Sequence, residues 1–457
     1  MTSPAAPQYT EDAGFFGHPR GLSTLFYTEM WERFSYYGMR AFLILYMVHA
    51  LGFDDRHAGS VYGTYAAGVW AATIFGGIIA DRWLGQYKSV LYGGTIIAIG
   101  HFTLAFHPLP FFYAGLAFIV VGTGLLKPNV SAIVGSLYDT NDARRDAGFS
   151  IFYMGINLGA AIGPIIAGGL AQKVDWHVGF ACAGVGMTFG LLQYVRGRRH
   201  LQPAIDRLER QRREAGPKPT TATPTGGDPG RARIAEPTWG GFTKVEWKRI
   251  AAMAVFFVFA AVFWGAYEQA GSTLNLFADR YTNTVIFGFS FPSSWFASVQ
   301  AIFVICLAPA FAWLWIKLGS HEPSTPAKFA VGLFFIGLSF VFLLIPAVHL
   351  QDSPGLRVSP FWLIGCYFIQ ELGELSLSPV GLSVFTKLSP VKIVGFMLGV
   401  WFLADSVGNK VAGYAAGFIS SAPLPDLFGT VAAVCLGASV VAFLMIKPVR
   451  SLMGGVH

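Results

Sequence analysis

Long apolar runs recur along this chain, each close to the roughly 20 residues that an α-helix needs to cross a bilayer. They predict about twelve membrane-spanning helices. In the first half the runs cover roughly 22–51, 57–84, 88–107, 110–138, 144–172 and 176–196. In the second half they cover roughly 244–279, 291–318, 327–349, 358–388, 391–421 and 424–447. Several exceed the minimum, which predicts tilt or extension beyond the bilayer. Glycines and prolines inside them, as at Gly76-Gly77, Gly163-Pro164 and Pro379, predict close helix approach or bends.

The pattern breaks once. Between 197 and 243 the chain turns polar, basic and rich in Pro, Gly and Thr. The start of this stretch reads as a short amphipathic helix and the rest as a flexible linker. The division is therefore a tail over 1–21, a six-helix bundle over 22–196, a basic linker over 197–243, a second bundle over 244–447 and a tail over 448–457. Arg82, Lys88, Arg144, Arg145, Lys317, Lys328, Lys387 and Lys392 fall on the linker's side, while the opposite loops carry only Arg56, Lys173, Arg280 and Arg357. The positive-inside tendency puts the linker and both termini in the cytoplasm.

Composition narrows the class further. The chain is 54% hydrophobic and only 12% charged, about half the charged fraction of a soluble domain. Its net charge of +7 is gathered in a few loops, a topology signal that excludes a nucleic-acid-binding reading. Cys182, Cys306, Cys366 and Cys435 all lie in apolar runs and read as small buried hydrophobes, with neither a metal site nor a disulfide frame. The polar N-terminal stretch lacks the pattern of a cleaved signal peptide.

The first apolar run contains charges that need explaining. Glu29, Glu32, Arg33, Tyr36, Tyr37 and Arg40 recur at helical spacing and share one face. A charge near the bilayer centre costs on the order of 3 kcal/mol, so this face should line a wet cavity inside a bundle. A packed Glu29–Arg33 pair is the simpler alternative, but it leaves Glu32, Arg40 and two tyrosines unexplained.

Other runs add polar residues at membrane depth. Lys127 and Asn157 belong to the first half; Glu268, Glu371, Glu374, Asp405, Asn409 and Lys410 belong to the second. Cationic candidates (Arg33, Arg40, Lys127) thus stand on one side and Glu268 and Glu374 on the other. A cavity between the halves would suit a zwitterion with its charges at opposite ends. Each residue also has a plainer reading. Lys127 could snorkel from a helix end, Asn157 could bond one helix to another, and Trp401 could be ordinary packing. Asp405 and Lys410 are poorly spaced for pairing with each other, which predicts partners on other helices.

Two six-helix halves joined by a cytoplasmic linker resemble the major facilitator fold, an all-α polytopic membrane architecture whose substrate sits mid-membrane between rocking halves. Gly77, Asp81, Arg82, Gly85 and Lys88 resemble that superfamily's loop motif after the second helix, where Asp81 and Arg82 would latch one conformation. More specifically, Glu29-Met30-Trp31-Glu32-Arg33-Phe34-Ser35-Tyr36-Tyr37-Gly38, LLKPNVSAIVG, FSIFYMGINLGAAIGP, FWGAYEQAGSTL, GELSLSPVGLS and GVWFLADSVGN resemble the proton-dependent oligopeptide transporter family. The likeness covers nearly the whole chain except the ends and the linker.

This resemblance implies a symporter of di- and tripeptides with protons as the coupling ion and no other cofactor. It implies an expected monomer in the inner membrane of a bacterium. Arg40, Lys127 and Tyr37, beside Tyr36, would bind the peptide carboxylate, Glu374 the ammonium and Asn157 the backbone. Trp264, Trp401 and Phe402 would line side-chain pockets. Glu29, Glu32, Arg33 and Glu268 would couple the proton. Two departures stand out. The linker has no room for the extra helix pair of many bacterial members, and Gln300-Ala301 stands where Asn-Pro is expected, with Trp70 where some members have Tyr. Rival readings are another small solute such as nitrate or an organic anion, a non-transporting peptide sensor, and a membrane-embedded hydrolase. The hydrolase lacks any nucleophile–base or HExxH arrangement.

Overall fold

A computed structural model describes residues 12–139, 142–214, 241–353, 355–390 and 393–454. Most of the N-terminal tail, the end of the C-terminal tail and the second part of the predicted linker lie outside these residues. The helices are α1 (Arg20–His49), α2 (Asp55–Ile79), α3 (Gln86–Leu104), α4 (Leu109–Ser136), α5 (Arg145–Gly163), α6 (Gly169–Lys173), α7 (Trp176–Arg196) and α8 (Arg198–Glu214). The second half contributes α9 (Lys244–Tyr267), α10 (Thr273–Tyr281), α11 (Ala297–Leu318), α12 (Thr325–Asp352), α13 (Phe361–Leu388), α14 (Val394–Ala416), α15 (Leu424–Leu444) and α16 (Ile446–Leu452).

Local chemistry sets several ends. Asp54 caps α2 by accepting from the His57 amide at 2.8 Å, and Asp175 caps α7 through the His177 amide at 2.8 Å. Thr243 and Glu246 form a reciprocal capping box at the start of α9. Pro164 lacks the amide that would continue α5, and the chain passes through a π-turn, Pro164–Gly168, before α6. The bend expected at Gly163-Pro164 takes this form. Pro379, by contrast, is carried inside an unbroken α13.

Among the described residues, eight helical segments are long and apolar enough to cross a membrane by length and composition. α1, α3, α13 and α14 are not among the eight; each carries charged or strongly polar residues within its apolar run. The run expected as one helix over 244–279 is instead α9, a 3₁₀ turn at Glu268–Gly271 and α10. The break falls where Ser272 leaves the helical region, with φ −128° and ψ −90°. A short hairpin pairs Val285–Ile286 with Phe289–Ser290 through Phe287 and Gly288, both at positive φ. It is a small exception to the all-helical expectation.

Within the first half, α1 packs on α5 and α7, α2 on α4, and α3 on α4 and α7. Within the second, α12 packs on α13 and α15, and α9 on α12, α13 and α15. The halves meet along α2 with α14 and α5 with α11. α2 and α14 approach so closely that a Cβ on Gly59 would sit 2.3 Å from the Gly413 carbonyl oxygen. No comparable seam joins α4 or α5 to α13 or α14 among the described residues.

The linker's first part is a helix docked on the first bundle. Leu201, Ala204 and Ile205 of α8 are buried in one core with Leu22, Ile133 and Tyr194. Arg207 donates to the Tyr138 carbonyl at 2.6 Å and to Asp139 at 2.7 Å. The face opposite α8 is sealed by contacts between the halves. Arg280 grips Asp55 at 2.5 and 2.8 Å, and His49 Nε2 shares a hydrogen bond with Asp279 at 2.7 Å. Gln172 reaches the Ser293 hydroxyl and the Ser294 amide, both at 2.9 Å.

Candidate functional site

On the α1 stripe, Glu29, Glu32, Arg33, Tyr36 and Arg40 are buried and Tyr37 is half-buried. Arg33 Nε lies 3.2 Å from Glu29 Oε1 and donates to Glu32 Oε2. One oxygen of each glutamate, Glu29 Oε2 and Glu32 Oε1, finds no protein donor among the described residues. The Arg33 guanidinium also lies 5.2 Å from the Tyr36 ring centre and 5.9 Å from that of Tyr37. One cation therefore serves two carboxylates, and the cluster has acceptor capacity to spare.

Two turns further along, Arg40 donates to the Tyr62 hydroxyl and to Glu268 Oε2. Arg40 belongs to the first half and Glu268 to the turn after α9, so this buried ion pair joins the halves. The backbone must come close to make it. A Cβ on Gly271 would fall 1.8 Å from the Tyr62 hydroxyl and 2.9 Å from the Arg40 guanidinium. Asn275 adds a further tie by donating to the Ala41 carbonyl at 2.7 Å.

Lys127 comes from α4, which runs through Pro128 unbroken. Its Nζ lies 3.2 Å from the Trp70 ring centre, a cation–π contact. Trp70 stacks on Phe402 of α14 with centroids 5.9 Å apart and planes 15° apart. Lys127 also lies within electrostatic reach of Glu29, Glu32, Arg33 and Asp405.

The second half supplies acidic groups. Glu371 Oε1 accepts from the Tyr267 hydroxyl at 2.9 Å, and Glu374, one turn on, is buried with Oε2 unpartnered among the described residues. Asp405 is buried beside Asn409. Cations on the first half thus face carboxylates on the second. Asn157 donates to the Tyr153 carbonyl of its own helix at 3.0 Å. Gln300 donates to Gln370 at 3.1 Å. Trp264 is set edge-on to Tyr267, and its ring nitrogen has no partner among the described residues. Trp401 is buried against Phe385, with ring centres 5.2 Å apart, in a core-like setting.

The structure therefore brings Glu29, Glu32, Arg33, Tyr36 and Tyr37 into one cluster, Arg40 and Glu268 into a pair, and both Lys127 and Phe402 against Trp70. Asp81 and Arg82 stand apart near α8. Asp81 accepts from Gln86 at 2.9 Å, and the Arg82 carbonyl accepts from Arg212 at 2.9 Å. Tyr62 and Trp70 are the members the sequence did not offer as ligands, since an aromatic residue in an apolar run carries no signal of its own. Of the pair expected to seek partners elsewhere, Lys410 reaches Thr64 of α2 at 2.6 Å, whereas Asp405 bonds within its own helix to Asn409 at 2.7 Å. No cluster of potential metal ligands occurs among the described residues.

Residues 87–206 and 242–438 match the family model described as the POT family. The chain belongs to that family. POT relatives include a peptide transporter of Yersinia enterocolitica, 38% identical over 96% of each chain. A di-/tripeptide transporter of Lactococcus lactis is 36% identical, covering 97% of this chain and 98% of its own. A crystal structure of a peptide transporter POT in complex with sulfate superposes with a TM-score of 0.85 at 36% identity, covering 97% of each chain. The POT fold is the major facilitator architecture, so the protein is a multi-pass integral membrane protein and a transporter, not an enzyme.

Proposed function

We propose that this protein is a proton-coupled symporter that carries di- and tripeptides into the cell by alternating access. The observation that carries the reading is the division of charge at membrane depth: Arg33, Arg40 and Lys127 on the first half, Glu268, Glu371 and Glu374 on the second. The peptide-transporting names of its POT relatives support the same substrate class. One further relative was crystallised with 5-aminolevulinic acid, a molecule that also carries an amine and a carboxylate at opposite ends. A small amino acid of that kind is the second reading.

In this scheme Arg40 and Lys127, with Tyr36 and Tyr37, hold the peptide carboxylate. Glu374 holds the ammonium, Asn157 the backbone, and Trp264, Gln300, Trp401 and Phe402 shape the side-chain pockets. Glu29, Glu32 and Arg33 form the proton-coupling network, the glutamates carrying the proton and Arg33 staying charged between them, and Glu268 is a second protonation or salt-bridge site. A carboxylate beside a cation stays ionised; separation of Glu268 from Arg40 favours protonation. One positive charge moving inward across 100 mV adds about 2.3 kcal/mol of drive. Asp81 and Arg82 act on conformation near α8. The α8 side and both termini are cytoplasmic, the sealed face looks outward, and a single chain in a bacterial inner membrane suffices. Protons are the coupling ion, with no organic cofactor or metal.

Uptake of labelled dialanine into proteoliposomes, with the interior alkaline and negative, tests this. Accumulation that an uncoupler collapses is the expected result. No uptake by folded protein would overturn the peptide reading, and uptake of 5-aminolevulinic acid alone would favour the second.

A further inference from the structure

Asp405 has no part in the symport scheme, yet it lies where the two halves face each other. It is 6% exposed, one turn beyond Phe402 on α14. Its Oδ1 accepts from Asn409 Nδ2 at 2.7 Å. The charged groups that act on it come from several elements: Lys127 of α4, Arg40 of α1 and Glu268 after α9. Tyr37 of α1 lies within the same reach, and Tyr62 of α2 holds Arg40. α13, packed on α14, carries Glu371 and Glu374.

These groups are not equally free. Arg40 is committed to Glu268, while Glu29 and Glu32 share the single cation Arg33 and act on Lys127 from the first half. Lys127 makes its closest contact with the face of Trp70, and Trp70 in turn lies on Phe402. The stack brings Lys127 to the wall of α14 that carries Asp405. Among the second-half carboxylates, Asp405 is the one that acts on Lys127 across the gap between the halves.

We propose that Asp405 is a proton-accepting group of the binding cavity, yielding Lys127 to the carboxylate of the bound substrate and taking up a proton as it does so. This rests on the peptide reading. Two anions in a poorly hydrated site cannot both be neutralised by one ammonium, and protonating the less well-placed anion removes the conflict. The proton comes from water in the cavity and forms an O–H bond on the Asp405 carboxyl. It is released when the substrate leaves and Lys127 is again the nearest free cation. Charge balance is kept: one substrate carboxylate in, one proton in. A substrate without that carboxylate does not trigger the exchange.

Proton uptake on binding can be read with a pH dye, using purified protein in weakly buffered, slightly alkaline detergent solution. The probes are dialanine and dialanine amide, which differ only in the carboxylate. Wild type is expected to take up about one more proton per dialanine than per dialanine amide. Asp405→Asn should bind dialanine saturably and lose that difference; Asp405→Glu should keep it. Equal uptake for the two probes in wild type overturns the proposal without any variant. A full difference in Asp405→Asn overturns it as well; if that variant does not fold, Asp405→Ser carries the same comparison. If folded wild type binds neither probe, the peptide reading falls and this one falls with it.

Discussion

Arg40 on α1 and Glu268 in the turn after α9 form a buried ion pair between the two halves of the chain, and Tyr62 shares the same guanidinium. Removing one partner strands the other charge. Glu268→Gln is expected to destabilise the protein by about 3–5 kcal/mol, seen as a lower thermal midpoint. The double variant Arg40→Met with Glu268→Leu should lose clearly less than the sum of Arg40→Met and Glu268→Leu made singly. Additive losses would mean the two residues are not energetically coupled.

Glu32 is wholly buried beside Arg33 and has an oxygen to spare. Glu32→Gln is expected to abolish proton-driven accumulation while sparing exchange of labelled for unlabelled peptide. The two assays can be run on the same proteoliposomes. Undiminished accumulation by the variant would remove Glu32 from the coupling scheme.

Lys127→Ala and Arg40→Ala should each weaken dialanine binding by about tenfold or more, roughly 1.4 kcal/mol, with a much smaller effect on dialanine amide. Titration of both ligands against both variants checks this. Equal losses for the two ligands would rule out recognition of the carboxylate by these cations.

On the α8 side, His18 is buried against Tyr138, its Nδ1 2.9 Å from the hydroxyl, and Arg144 donates to the Gly17 carbonyl at 3.0 Å. Burial, and then the Arg144 charge, holds the His18 imidazole below its ordinary value, while Asp142 pulls the other way. The docked segment therefore favours the neutral ring. Its stability is full above the ordinary value of about 6.5 and is lost as pH falls through it towards the lowered value, because the undocked ring takes the proton first. Hydrogen exchange at residues 14–20, corrected for intrinsic rates, should speed up between about pH 7.5 and about pH 5.5, a window that spans that value. His18→Gln should remove the pH dependence; an unchanged response would place its source elsewhere.

Much of this molecule is legible in the sequence because a bilayer penalises exceptions. Charges at helical spacing inside an apolar run, as in α1, have few explanations, so Glu29 to Arg40 stand out by spacing alone. The basic, proline-rich interruption near the middle divides the halves for a similar reason. What stays hidden lacks a cost signal. Tyr62 and Trp70 look like ordinary apolar filling until Arg40 and Lys127 are seen beside them. The break after Tyr267 depends on Ser272 leaving the helix, which the hydropathy of that run does not register. Docking of α8 depends on Leu201, Ala204 and Ile205 meeting a surface built by residues far away in sequence.

Asp279 and Arg280 are consecutive residues in the last turn of α10, and each holds a different element of the first half, His49 and Asp55. Two of the locks on the face opposite α8 therefore share one bolt. A small rotation or withdrawal of that turn strips both at once, and neither can relax gradually while the other stays engaged. Loss of these two contacts should then be abrupt, with few forms in which one is made and the other broken.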